Sequence, residues 1–275
     1  MVLAYLLLGL LILLLMGGIF SVIWDIYIFV YNEIKYLVKK WQPLPAKYQR
    51  ILNKFVGYYK VLPSKDKQRF EQRVHRFILS KKFISRSAGP VTDEMKVLIS
   101  ATAVQMTFGL TEIYLSNFDK ILIYPDAYYS HVAQKYHQGE VNPRAGIIIL
   151  SWRSFVQGYA DLTDNVNLGI HEMAHAIHFE NRIMNAEYDF LDFDLLDKLK
   201  SITHREMQGI RQGGHYLRDY AATNEYEFFA VSLEHFFEQP LSLKEAIPDL
   251  YALLVQLLNQ DPIRIYKLEG QKITI

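Results

Sequence analysis

Apolar positions crowd the start of the chain and fall into periodic patterns along the rest. From Met1 to Trp24 the run "MVLAYLLLGLLILLLMGGIFSVIW" contains no charge. Roughly 20 such residues suffice to cross a bilayer core as a helix, so the pattern predicts a membrane anchor over residues 1–24. A cleaved signal peptide would carry a basic residue ahead of its apolar stretch, whereas the first charge here is Asp25. The flank that follows sets Lys35, Lys39, Lys40, Lys47, Arg50 and Lys54 against Asp25 and Glu33. Positive flanks stay on the cytoplasmic side, which places everything after the single pass in the cytoplasm. Residues 25–43 read as a juxtamembrane helix and linker, interrupted by "QPLP".

Beyond residue 44 the periodicity becomes that of a folded domain. "SKDKQRFEQRVHRFILSKKF" (64–83) has Phe70, Val74, Phe77 and Ile78 at helical spacing, with Ser64 in an N-cap position. "TDEMKVLISATAVQMTFGL" (92–110) predicts a more apolar helix opened by Thr92. "KILIYPD" (120–126) and "AGIIILSW" (145–152) predict short strands bounded by turn residues. A helical pattern begins at Asn165 and runs past His178, and another spans 222–240, where Phe228, Phe229, Val231, Phe236 and Phe237 mark a broad buried side. Helices around a small sheet make an α+β domain over residues 44–275. Later apolar runs such as "YALLVQLL" (251–258) are too short to span a bilayer.

Composition narrows the chemistry. A formal net charge of +1 leaves no basic surplus for phosphates, so nucleic acid is not an expected partner. The chain has no cysteine. Disulfides and thiolate metal sites are therefore excluded, and any metal must sit on His, Asp or Glu. "HEMAHAIHFEN" (171–181) offers such a site. In HExxH, two imidazoles stand one helical turn apart on one face, and the glutamate beside the first points toward the water that a catalytic zinc leaves room for. His171 and His175 are the expected ligands and Glu172 the general base. His178 lies seven residues from His171, about 10 Å of helical rise. That is too far for one ion to take all three comfortably, so His178 is expected to line the cleft, to support the ligands from behind, or to be an inert surface histidine. The third ligand is expected to be a carboxylate of the 222–240 helix. Glu225, Glu227 and Glu234 all remain candidates on periodicity, with Ala230 leaving room for close packing beside Glu227.

The ordered blocks "TDEMKVLISA", "ILIYPDAYY", "ILSW", "NVNLGIHEMAHAIHF", "DYAATNEYEFFAVSLEHFFEQP" and "NQDP" resemble the Mlc titration factor A family of zinc metallopeptidases. The likeness runs from about Leu44 to Pro262. This gluzincin-type family is more distantly similar to the anthrax lethal factor catalytic domain. The resemblance implies a zincin-like fold and one zinc per chain, held by His171, His175 and Glu227. It further implies that Glu172 acts as base and that Tyr220, seven residues before Glu227, faces the site. Where the family usually has aspartate, this chain has His178. The expected function is peptide-bond hydrolysis through a zinc-activated water, with a peptide or protein as substrate, at a bacterial inner membrane. Substrate backbone is expected to pair with a sheet edge near "IIILSW". The alternative, also suggested by the family, is a regulatory zinc-binding protein that sequesters a transcriptional repressor at the membrane.

Overall fold

The computed structural model describes residues 42–267 except 88, 131–133 and 161–164, with scattered positions between 16 and 30. The chain separates into two units, Met1–Pro43 and Leu44–Ile275. The expected anchor over 1–24 and the helix and linker over 25–43 lie mostly outside the described residues. Among the described residues no helix is long and apolar enough to cross a membrane.

The second unit is mostly helical with a small sheet. Its elements in order are α1 (Ala46–Phe55), α2 (Gly57–Lys60), α3 (Ser64–Ser80), β1 (Lys82–Ser85), α4 (Asp93–Thr107), β2 (Lys120–Tyr124), β3 (Tyr128–Ser130), β4 (Lys135–His137), β5 (Gly139–Asn142) and β6 (Ile147–Ser151). There follow α5 (Trp152–Ala160), α6 (Leu168–Glu180), α7 (Phe193–Gln212), a 3₁₀ turn (Asp219–Ala222), α8 (Glu225–Glu238), α9 (Pro240–Ala246), α10 (Pro248–Leu257) and α11 (Pro262–Lys267). The strands at 120–124 and 147–151 and the helices around 64, 93, 168 and 225 match the sequence expectations, with trimmed ends. Helix α3 ends three residues early because Lys82–Ser85 pairs in parallel with β2. Ser64 is not its cap: Pro63 holds that position without a side-chain hydrogen bond, and Ser64 is already helical. Thr92 does cap α4, its hydroxyl accepting from the Met95 N–H at 3.2 Å.

The four-stranded sheet has the order β1–β2–β6–β5. Its first three strands are parallel, while β5 runs antiparallel on β6 with Gly139 opposite Leu150. Strand β6, the "IIILS" run, is therefore paired on both sides, and the sheet's two edges are β1 and β5. The edge next to "IIILSW" is β5. Its sequence, Gly-Glu-Val-Asn, has one apolar residue and carries no strand pattern to read.

Helix α6 sits at the centre of this arrangement, in contact with α4, α5, α8, β5 and β6. It is buried nearly all round, at Gly169, Ile170, Met173, Ala174, Ala176 and Ile177 as well as at polar positions, as expected of a helix without an amphipathic stripe. Both its ends are tied by polar contacts. Asn167 caps the start, its side chain accepting from the Ile170 N–H at 3.0 Å. At the other end Glu180, fully buried, accepts from the Asn117 N–H at 3.1 Å and from Asn185 Nδ2 at 2.6 Å. Buried Phe228, Phe229, Val231, Phe236 and Phe237 of α8 meet the core. Each such side chain contributes roughly 1.5–3 kcal/mol on burial.

Candidate metal centre

Helix α6 presents His171 and His175 on the side that meets α8, and Glu172 toward β5. The start of α8 is set by Asn224, whose side chain accepts from the N–H groups of Tyr226 and Glu227 at 2.9 and 3.0 Å. That cap fixes the helical phase from its first turn and turns Glu227 toward α6. Three ligand atoms then converge. Glu227 Oε2 lies 3.0 Å from His171 Nε2 and 3.4 Å from His175 Nε2, and the two Nε2 atoms are 3.2 Å apart. Two atoms each about 2.0–2.1 Å from one tetrahedral ion stand about 3.3–3.4 Å from each other. The observed edges, 3.0, 3.2 and 3.4 Å, come within about 0.4 Å of that spacing.

The electrostatics fit a cation as well. Glu227 Oε2 is buried and makes no hydrogen bond of sound geometry, an orphaned acceptor in the middle of the cluster. Burial alone would lower the pKa of His171, but the carboxylates of Glu227 and Glu234 outweigh it and lift the imidazole to about 10. Burial would raise Glu227, yet His171 and His175 hold it well below the usual carboxylate range.

Sequence periodicity left three glutamates open, and the geometry separates them. Glu225 lies at the surface, 3.4 Å from His204 Nε2. Glu234 stands on the far side of His171, with its Oε1 accepting from Nδ1 at 2.8 Å. Only Glu227 joins the two histidines among the described residues. His178 is elsewhere. Its ring packs against Tyr226, Phe229 and Phe179, and its Nε2 lies 3.4 Å from Arg182 Nη1.

Glu172 is 5% exposed and lies flat against the free edge strand. A Cβ built on Gly139 would stand 2.6 Å from Glu172 Cγ, so only glycine leaves room for this carboxylate. Burial raises Glu172 to about 8, and the neighbouring carboxylates Glu227, Glu140 and Glu234 push the same way against His171. Glu140, on β5, accepts from the Tyr128 hydroxyl at 3.0 Å. Tyr220 sits on the 3₁₀ turn, half exposed, with its ring centroid 5.9 Å from that of His171. Burial and the Glu227 charge push its phenol up to about 12, so the hydroxyl stays a donor at neutral pH.

Gly139 and Arg218 are features of the site that sequence reasoning did not name, and Glu234, a candidate ligand there, instead backs His171. Glu234 shares a helical meridian with Glu227, two turns on, and that spacing was a usable signal. Gly139 and Arg218 carry none, because their importance comes from contacts across the fold.

The chain is similar in sequence to known proteins. An uncharacterized protein of Synechocystis sp. (strain ATCC 27184 / PCC 6803 / Kazusa) is 28% identical over 262 residues, covering 90% of this chain and 94% of its own. Mlc titration factor A of Edwardsiella ictaluri (strain 93-146) is 26% identical over 220 residues, covering 74% of this chain and 84% of its own. Its namesake in Yersinia pestis (strain Pestoides F) is also 26% identical, over 253 residues, 84% of this chain and 91% of its own. The family described as glucose-regulated metallo-peptidase M90 matches residues 32–258. With that match spanning most of its length and enclosing the whole histidine–glutamate cluster, the chain belongs to the M90 metallopeptidase family.

Proposed function

We propose that this protein is a zinc-dependent peptidase tethered to a bacterial inner membrane by residues 1–24, with the domain from Leu44 onward in the cytoplasm. The observation that carries the enzymatic reading is the triangle of His171 Nε2, His175 Nε2 and Glu227 Oε2, at 3.0–3.4 Å, beside a buried glutamate on the same helix. When bound, zinc would supply Lewis acidity, easing ionisation of a water and polarising the scissile carbonyl. The three side chains would hold it and leave a position open. Glu172 takes a proton from the attacking water on its carboxylate and passes it to the departing amine. Tyr220 donates a hydrogen bond to the oxygen that gains charge as the carbonyl is attacked. Strand β5 offers a free edge for extended substrate backbone next to Glu172.

Metal analysis of the full-length protein, joined to hydrolysis of a peptide library, tests this reading. It requires about one zinc per chain, lost in His171→Ala/His175→Ala. The membrane part is supported by the uncharged 24-residue start and its lysine-rich flank. A cytoplasm-dependent reporter fused after residue 60 is expected to be active, and activity of a periplasm-dependent reporter there would reverse the topology.

One observation favours a second reading. Two of the relatives above are named for titrating Mlc. By that likeness, the domain would sequester a protein partner such as a transcriptional repressor at the membrane and use its metal for structure. Glu172→Gln separates the two, since sequestration survives it and hydrolysis does not.

A further inference from the structure

Behind the imidazole of His171 lies a charged group to which the mechanism above gives no task. Glu234 is 1% exposed, and both of its oxygens are fully engaged. Oε1 accepts from His171 Nδ1 at 2.8 Å and from Arg218 Nη2 at 2.7 Å. Oε2 accepts from the Asn167 N–H at 2.7 Å and from Arg218 Nη1 at 3.3 Å. Arg218 Nη1 also donates to the carbonyl of Asn165. One guanidinium therefore grips a buried carboxylate with both arms and the chain leading into α6 as well. A bidentate fork fixes the rotamer of its carboxylate far better than a point charge does.

The same residue opens the 3₁₀ turn. The Arg218 carbonyl accepts from the Ala221 N–H at 2.9 Å, and its guanidinium stands 6.0 Å from the ring of Tyr220, two residues on. The side chain thus faces one member of the site while the backbone carries another.

We propose that Arg218 is a positioning residue: through Glu234 it fixes the ring orientation and Nδ1–H tautomer of His171, and through its backbone it presents Tyr220 to the same cleft. The inference rests on the metallopeptidase reading. Its physical basis is general. A ligating imidazole donates its second N–H to a carboxylate that aims the ring, and loss of that support typically lowers metal affinity 10- to 100-fold. Here the carboxylate is itself aimed by an arginine from the turn that holds the oxyanion donor. Metal binding and oxyanion stabilisation therefore share one mount. A lysine would keep the charge, but its donors sit on one nitrogen and lack the planar fork that meets the two Glu234 oxygens from separate nitrogens.

The experiment uses the full-length protein stripped of metal and titrated with Co²⁺, whose visible spectrum reports ligand geometry directly. Arg218→Met is expected to bind Co²⁺ about 10- to 100-fold more weakly than wild type and with an altered spectrum. Arg218→Lys should fall between them. In the zinc-loaded enzymes kcat should drop with KM little changed, because the disturbed groups act on the transition state. Should Arg218→Met fail to fold, Glu234→Gln carries the test, since it keeps volume and an acceptor and removes the charge that the arginine grips. Wild-type Co²⁺ affinity and spectrum in folded Arg218→Met, or in Glu234→Gln where Arg218→Met does not fold, overturn the proposal while leaving the peptidase reading standing. A wild-type protein that takes up no Co²⁺ or zinc at all overturns both.

Discussion

Gly139→Ala is the smallest change that should disable the proposed chemistry without touching a ligand. The backbone tolerates alanine, because Gly139 is not among the glycines with positive φ, which among the described residues are Gly146, Gly213 and Gly214. The added methyl is the whole perturbation. It would stand 2.6 Å from Glu172 Cγ, where carbon atoms normally rest about 3.5–4.0 Å apart, so one side must yield by about 1 Å. Glu172 is buried on a helix packed from several directions, and β5 is held to β6 through Gly139 opposite Leu150. The side chain is the softer partner and will move. A general base displaced by about 1 Å costs on the order of 10²-fold in rate, and the overpacking itself costs about 1–3 kcal/mol of stability. Steady-state kinetics on a quenched peptide, with zinc occupancy and Tm measured on the same samples, should show kcat down by about that factor, zinc retained and Tm modestly lowered. In a Glu172→Gln background the substitution should have almost no further effect on rate, since the displaced group no longer works. A kcat within about twofold of wild type, or an undiminished further loss in the double variant, would refute the reasoning.

Other expectations follow from the same geometry. Glu172→Gln should keep zinc and lose nearly all hydrolysis, as joint metal and activity assays would show. Tyr220→Phe should lower kcat by on the order of 10²–10³ with KM barely moved; unchanged kcat removes Tyr220 from the mechanism. Glu227→Gln should weaken zinc binding and recover activity in excess zinc, whereas Glu225→Gln, out at the surface beside His204, should leave both alone; the reverse pattern in a chelator competition would move the ligand along α8. Finally, burial lowers the pKa of His178 to about 4, with Arg182 and His175 acting in the same direction. Between that value and the 6.5 of an unfolded histidine the folded state binds fewer protons, so stability is lost as pH falls through this window. His178→Phe, set among Phe179, Tyr226 and Phe229, should flatten the fall of Tm between pH 6.5 and 4, and an unaltered slope would mean other groups set it.

The parts legible in the sequence were those written in local periodicity. HExxH declares two ligands because four residues make one turn, and "KILIY" and "IIILS" declare strands because apolar residues run between turn signals. The third ligand was legible only to the level of a helix. Periodicity gives a meridian, and Glu227 and Glu234 share one; which of them faces the histidines and which stands behind is decided by the Asn224 cap and the packing of α8 on α6. Strand β5 escaped notice because its pairing with β6 needs no apolar pattern, whereas the 20-residue helix α7 carried a readable stripe, Leu199, Met207 and Ile210 among polar neighbours at helical spacing, that was overlooked. The roles of Gly139 and Arg218 depend on residues 33 and 16 positions away, at Glu172 and Glu234. No window of sequence contains such a relation.

The two ties at the ends of α6 have a mechanical consequence. Close-packed apolar side chains limit how far a helix can roll about its axis, but they supply no directional bond that fixes its angle. A roll of 10° at a radius of about 5–6 Å moves a side chain by about 1 Å, which exceeds the roughly 0.5 Å tolerance of a working site. Here the cap residue Asn167 is bolted to the Gly158 carbonyl and to Glu238 at 3.0 and 2.8 Å, and Glu180 is bolted to the Asn117 backbone and to Asn185 thirteen residues along. Fixed at both ends to different parts of the domain, α6 behaves as a clamped shaft, and the angle at which it offers its histidines is set before any ion arrives.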